Sequence, residues 1–305
     1  MNKKIVALIA GIVVILIGSF GIYKITSKNN EIINSNFVIG ERKAIFTEKD
    51  YPKVDGSTET LMLSKAFKAE FLGKKLDGID MTHNTTYYAY ENLVNGACDL
   101  ILVTYPSKEE LDLAKAHNIE LEIIPVANEA LVFYNNNQNE TKDISLEQLQ
   151  KIYTGEITNW KEVSGEDMPI RVVQREKNSS VQTGLINLVM KDKDIMQISE
   201  EDTITSEKAM VNLVSDEESG KESIGYSYYY MIDNSNSKDK INLLSIDGIN
   251  PNDETIKNGT YPLSTKYYIV INKANPKESN VRKLIKEMLG ERGQKALEAV
   301  NYISM

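Results

Sequence analysis

The chain has 305 residues, enough for one large or two ordinary domains, and its 41% hydrophobic and 26% charged residues give a globular profile. The formal net charge is −9; the first 43 residues hold six Lys/Arg against two Glu, a local +4, so the remainder carries −13. That balance argues against non-specific binding to nucleic acid, since no basic field is present to release counterions.

Lys3 and Lys4 precede an uncharged apolar run from Ile5 to Tyr23, 19 residues long. As a helix it would span roughly 28 Å, close to the ~30 Å hydrocarbon core of a bilayer. Residues 1–25 are therefore expected to form a membrane anchor or a signal segment. The run is longer than a usual signal core, whereas Ser19-Phe20-Gly21 loosely fits a cleavage site. Either way, the lysines ahead of it predict a cytoplasmic N-terminus and an extracytoplasmic body. Residues 26–43, rich in Asn, Ser and Lys, read as a tether.

Beyond the tether, VIGERKAIF is expected to be a first strand or lead-in. DGSTETLMLSKAFKAEFLG opens with turn chemistry and then places Leu61, Leu63, Ala66, Phe67, Phe71 and Leu72 at mostly helical spacing. Thr85 to Gly96 is a short amphipathic helix, CDLILVTYP a strand ended by proline, and KEELDLAKAHN a helix. ANEALVFYNN is almost continuously apolar, as a strand buried on both faces would be. In ISLEQLQKIYTG, Ser145 and Gln148 have the spacing of a capping box and Gly155 that of a helix stop. PIRVVQ, SIGYSYYYM, KINLLSI and TKYYIVIN read as strands, Val181 to Met190 as a helix, and RKLIKEMLGERGQKALEAV as a helical region broken near Gly290 to Gly293. Strands alternating with helices over so long a chain predict α/β architecture in two lobes.

Three places offer ligand chemistry. Asp55 to Thr60 and Arg175 to Gln182 both run into helices. Each combines hydroxyls with backbone N–H groups that lack partners at a helix start, and the second adds a fixed positive charge. Asp99 to Thr104 ends an apolar strand on a hydroxyl, where open α/β sheets bind ligands. Each of these also serves as an ordinary helix cap or turn. Cys98 is the only cysteine and His83 and His117 the only histidines, so neither a thiolate cluster nor a histidine-based metal or triad enzyme is expected. Both histidines read as surface or turn residues, Tyr226 to Tyr230 as packing, and the acidic and Asp/Lys-rich runs at 192–208 as a solvated face.

Taken in order, YPKVDGSTET, CDLILVTYPSKEEL, ANEALVFYNNNQN, ISLEQLQKIYTGEITNWKEVSG, Arg175-x-x-x-Ser179, SIGYSYYY and YPLSTKYYIVIN resemble the substrate-binding proteins of ABC phosphate-uptake systems. The resemblance covers roughly residues 50–303, and its most specific piece is the helix followed by Tyr-x-Gly-x-Ile-Thr-Asn-Trp. It implies a two-lobed type II periplasmic-binding-protein fold with hinge crossover strands near 126–135 and 262–271. Lobe 1 would comprise 44–130 and 262–305, and lobe 2 would be 131–261.

The same resemblance implies a non-enzymatic monomer without cofactor. It would capture a tetrahedral oxyanion, phosphate foremost, for an ABC permease. Carried over by position, Ser57, Thr58 and Thr104 donate from lobe 1, and Arg175, Ser179 and Ser180 from lobe 2. Two departures stand out. Val181 occupies a position where the family commonly has a hydroxyl, leaving Gln182 as the nearby donor. Thr104 stands where such binders often have an aspartate to accept a phosphate proton, leaving Glu59 as the substitute acceptor or simply an acid in a first helical turn. These departures keep open a second function, a membrane-anchored sensory or structural surface protein with altered or lost ligand specificity.

Overall fold

The computed structural model describes residues 37–305; the expected membrane or signal helix and most of the tether lie outside the described residues. Among the described residues, no helix is long and apolar enough to cross a membrane.

A sheet of seven strands organises the unit Ile39–Met305. In chain order, β1 (Val54–Gly56) leads through a 3-10 turn, Thr58–Thr60, into α1 (Leu61–Leu72), followed by α2 (Thr86–Val94), β2 (Leu100–Val103) and α3 (Lys108–Ala116). The long strand β3 (Leu121–Asn136) comes next, then β4 (Asp143–Ile144), α4 (Leu146–Thr154), β5 (Arg171–Val172), β6 (Gln174–Arg175) and α5 (Ser180–Gly184). After these come β7 (Thr203–Ile204), α6 (Glu207–Val214), β8 (Ser223–Tyr228), α7 (Tyr229–Asp233), β9 (Ile241–Leu243), β10 (Ser245–Ile246) and α8 (Asp253–Lys257). The chain ends with β11 (Ser264–Asn272), α9 (Asn280–Leu289) and α10 (Glu291–Glu298).

The spatial order is β1-β2-β11-β3-β8-β5, with β9 also on β3. β3 changes partners along its length. Leu121 to Ala130 pair antiparallel with β11, whereas Leu131 to Asn135 pair with β8. One unbroken strand thus serves two lobes with separate apolar cores. Ala89, Tyr90, Leu93, Ile101, Val103 and Val270 cluster in the first, and Phe133, Tyr153, Trp160, Leu185, Tyr226 and Leu244 in the second. Continuous burial of β3 from Val126 to Asn136 follows from cover on both faces, which its apolar sequence anticipates.

Local signals in the sequence are realised where the chain itself supplies the partner. Ser145 and Gln148 form the capping box of α4, and Gly155 ends it with a φ of 83°. Ser107 and Glu110 do the same for α3, and α9 stops at Gly290. Gly293 permits α10 to pack close, since a Cβ there would stand 2.4 Å from the carbonyl oxygens of Glu287 and Met288.

Other expectations are corrected. VIGERKAIF, expected as a first strand or lead-in, forms no strand and is a lead-in loop whose Phe46 is buried and whose Ile45 and Phe46 amides bond the Phe71 carbonyl oxygen. The helix expected at Val181 to Met190 is α5 followed by a π turn, Leu185–Met190. SIGYSYYYM bends into a helix after Tyr228, and PIRVVQ and KINLLSI each divide into two short strands.

Candidate functional site

The site is assembled from turns at strand ends in both lobes. In the first lobe, the Asp55 carboxylate accepts bonds from the Gly56 amide at 2.8 Å, the Asn84 amide at 3.1 Å, and the Asn84 and Asn92 side-chain amides at 2.8 Å each. Burial alone would raise its pKa, but these donors outweigh it and hold the carboxyl below its usual range. Gly56 is required by close approach: a Cβ there would lie 2.3 Å from the Leu102 carbonyl oxygen and 2.7 Å from the His83 ring. The Ser57 amide donates to Leu102 O at 3.2 Å, and the Thr60 hydroxyl to the same oxygen at 2.6 Å. His83, expected as a surface or turn residue, lies in a loop and is half-buried, its Nδ1 2.9 Å from the Ser57 carbonyl oxygen.

This turn leaves Ser57 and Glu59 buried and Thr58 exposed. One residue past β2, Thr104 is buried with its side chain against the Tyr228 hydroxyl.

In the second lobe, β6 pairs parallel with β7, setting Arg175 opposite Ile204. The Arg175 Nε donates to the Ile204 carbonyl at 3.0 Å and Nη2 to that of Thr205 at 3.4 Å, while Nη1 is buried without a partner. The Arg175 amide is fixed by Gln182 Oε1 at 3.1 Å and the Tyr226 hydroxyl at 2.8 Å. Ser179 caps α5 by accepting the Gln182 amide at 3.2 Å. Gln182 itself turns inward: its Nε2 donates to Gln174 Oε1 at 3.2 Å, and its Oε1 also accepts the Tyr226 hydroxyl. Its amide therefore braces Arg175 and does not extend into open space. Val181 is fully buried in the second core, so apolar packing occupies the position of the absent hydroxyl.

The lobes meet at Ser180 and Glu59. Ser180 Oγ donates to Glu59 Oε1 at 2.6 Å, 121 residues apart in sequence, while the Tyr228 hydroxyl bonds the Ser180 carbonyl oxygen at 3.0 Å. Ser57, Glu59, Thr104, Arg175, Ser179, Ser180 and Gln182 thus belong to turns facing one junction, with Thr58 at its exposed side.

Sequence reasoning missed Glu207. It opens α6 within the run expected to be a solvated face, yet its Oε1 is buried without a partner. Burial, and then the charge of Glu59, push its carboxyl well above the usual range, while Arg175 pulls the other way. No sequence signal singles it out, because an acid in a first helical turn is commonplace. Glu129 on β3 is likewise pushed up to about 7, chiefly by burial.

Glu59 Oε2, Arg175 Nη1 and Glu207 Oε1 are therefore all buried without hydrogen-bond partners. Similar atoms occur elsewhere in the described residues, but these three carry full or partial charge and meet where the lobes touch, which makes the junction a candidate place for a polar guest. A cleft of about 630 Å³ borders it through Tyr228, lined also by Tyr105, Lys257, Lys266 and Tyr268. Among the described residues, no group of three or more His, Cys, Asp or Glu is positioned to hold a metal ion.

Comparison with known proteins agrees with this architecture. The phosphate-binding protein PstS of Staphylococcus aureus (strain USA300) is 26% identical over 267 residues, covering 84% of this chain and 79% of that protein. PstS of Bacillus subtilis (strain 168) is 33% identical over 123 residues, 40% of this chain and 37% of its own length. Among solved structures, an ABC-type phosphate transport receptor from Vibrio cholerae matches with a TM-score of 0.61 at 21% identity, covering 83% of this chain and 98% of that one. PstS from Borrelia burgdorferi matches with a TM-score of 0.52 at 23% identity, covering 83% and 98%. The two lobes joined by β3, the site at their junction and a match to the PBP superfamily domain model over residues 47–292 lead to one conclusion: this chain belongs to the PBP superfamily and has the two-lobed α/β periplasmic-binding-protein fold.

Proposed function

We propose that this protein is an extracytoplasmic solute-binding protein that captures a tetrahedral oxyanion, inorganic phosphate, for an ABC importer. The observation that carries the proposal is the Arg175 guanidinium. Two of its nitrogens are pinned to backbone carbonyls and the third, Nη1, is buried without a partner. Leaving such a group unpaired costs about 1–3 kcal/mol or more, which an oxyanion held by a charge-assisted bond would relieve.

Ser57, Thr58 and Thr104 would donate from lobe 1, and Arg175, Ser179 and Ser180 from lobe 2. Glu59 would accept a proton of the ligand, and Gln182 would hold the Arg175 backbone. Lobe 1 would comprise 44–130 and 262–305, and lobe 2 would be 131–261. The switch of β3 from β11 to β8 after Ala130 supports that division and a hinge at this point. The protein would make and break no bond, need no cofactor, act as a monomer and be held at the membrane by its N-terminal apolar run.

Calorimetric titration with phosphate and with sulfate tests the assignment. Phosphate binding is expected, and Arg175→Ala should weaken it by at least about 100-fold, the loss expected when a buried charged partner is removed. Unchanged affinity in that variant would move the site elsewhere.

A second reading is a membrane-anchored sensory or structural surface protein of the same fold with altered or lost specificity. The Glu59 carboxylate favours it, because it already engages the Ser180 hydroxyl where a ligand oxygen would bond. Absence of phosphate binding at millimolar concentration by folded protein would decide for this reading.

A further inference from the structure

Glu207 has no task in the reading above. Its place is set by two neighbouring strands. β7 lies against β6, and Arg175 reaches across to the carbonyl oxygens of Ile204 and Thr205, just ahead of Ser206 and Glu207. The Ser206 hydroxyl caps α6 by accepting the Ala209 amide at 3.2 Å. Cap formation therefore does not depend on the Glu207 carboxyl, whose Oε1 points into buried space without a partner.

Groups from every neighbouring element act on this carboxyl. Glu59 comes from the turn before α1, Arg175 from β6, and Glu129 and Tyr134 from β3, while Tyr228 of β8 lies against it. Of these only Arg175 is cationic, and Glu59 and Glu129 are further acids. Placing an anionic guest beside several ionised carboxylates would be strongly unfavourable. Burial and the Glu59 charge favour the protonated form of Glu207. A protonated carboxyl is an O–H donor, comparable with the hydroxyl that α5 lacks because Val181 is packed into the core.

Resting on the oxyanion reading, we propose that Glu207 is a further ligand-binding residue, which enters the site as a neutral acid and donates a hydrogen bond to an oxygen of the bound anion. The proton stays on Glu207 throughout. Capture by the wild type is then linked to protonation of this group and weakens as pH rises through its titration. Ionisation removes the donor and adds a negative charge next to the guest.

The test is calorimetric titration of the full soluble body with inorganic phosphate from pH 6 to pH 8.5, using wild type, Glu207→Gln and Glu207→Ala. Phosphate changes its own protonation over this range, but equally for every protein, so the wild-type to Gln affinity ratio isolates Glu207. That ratio should fall with rising pH, since the glutamine amide donates at every pH. The Ala variant should bind at least about tenfold more weakly than wild type at pH 6, the loss of one buried donor. Wild type alone gives an independent readout. Repeating the titration in buffers of different ionisation enthalpy above neutral pH should reveal proton uptake beyond that due to phosphate. Parallel pH profiles in wild type and the Gln variant, without extra uptake, overturn the role of Glu207 and leave the phosphate reading intact. No binding of phosphate by any of the proteins overturns both.

Discussion

The two loops that meet at the junction share a design but differ in what fixes them. Both leave a strand, turn through hydroxyl residues and enter a helix. The first, at Asp55 to Thr60, is held from within its own lobe. The buried Asp55 carboxylate gathers four donors, and Leu102 O takes both the Ser57 amide and the Thr60 hydroxyl. The second, at Arg175 to Gln182, is held by side chains from β8 and by the backbone of β7, and it brings a half-buried cation, Arg175. A loop braced by a buried acid offers neutral donors in fixed positions. A loop braced by aromatic hydroxyls and carbonyls can present a charge, because the groups that hold the Arg175 guanidinium are neutral backbone carbonyls. Their contact, Ser180 to Glu59, is the single hydrogen bond between the two loops.

That contrast can be broken most sharply at the charge. Arg175→Ala should remove phosphate binding almost entirely while leaving the first loop unchanged, so the thermal midpoint should move far less than the affinity. A drop in stability large enough to explain the lost binding would show that the residue acts mainly as a brace.

The first loop should respond in the opposite sense. Asp55→Ala strands the Gly56 and Asn84 amides and two asparagine side chains, so a stability loss of about 3 kcal/mol is expected in denaturant titration. Because hydrogen bonds hold this carboxyl low, its contribution is present above its unfolded value and should be lost as pH falls through the lower, folded one.

Glu129 sharpens the comparison on β3, the strand the two lobes share. Its carboxyl bonds the Ala130 amide at 2.8 Å and the Tyr230 amide at 3.3 Å, tying β3 to α7. With a folded value of about 7 against the ordinary 4.5, the folded state holds this proton more tightly than the unfolded state. Stability is therefore fully present at low pH and declines as pH rises through about 7, by on the order of 3 kcal/mol if the shift is fully expressed. Glu129→Gln should flatten that decline in ligand-free protein, and an unaltered pH profile would place the titration elsewhere. The smallest effect is expected for Ser179→Ala. Losing the α5 cap should cost about 1 kcal/mol of stability, with a modest loss of affinity beside that of Arg175→Ala.

Much of the scaffold was legible because its signals are local. Ser145, Gln148 and Gly155 mark a helix whose caps are satisfied within a few residues, and the apolar stretch of β3 already requires cover on both faces. The gathering of Arg175, Ser179 and Ser180 was legible for the same reason: the charge and the helix start lie five residues apart in sequence. What misled were short segments whose form depends on distant partners. VIGERKAIF has a strand's composition but its backbone meets the end of α1 and side chains of α9 and α10, not a neighbouring strand, and Val181 to Met190 widens into a π turn where it packs into the second core.

The sequence by itself determined the class of the protein: alternating strands and helices, an anionic body behind an apolar N-terminal run, and a single arginine placed ahead of a hydroxyl-bearing helix start. Tertiary structure decided which polar groups share the junction. Glu59 meets Ser180 only because the sheet brings together segments 121 residues apart, and Glu207 leaves an otherwise solvated run only because β7 lies against β6. Gln182 braces Arg175 because Tyr226 and Gln174 meet its amide from either side. The physical reason is range. Propensity and capping act over one or two turns of chain, whereas desolvation and charge act through space on whatever folding brings together.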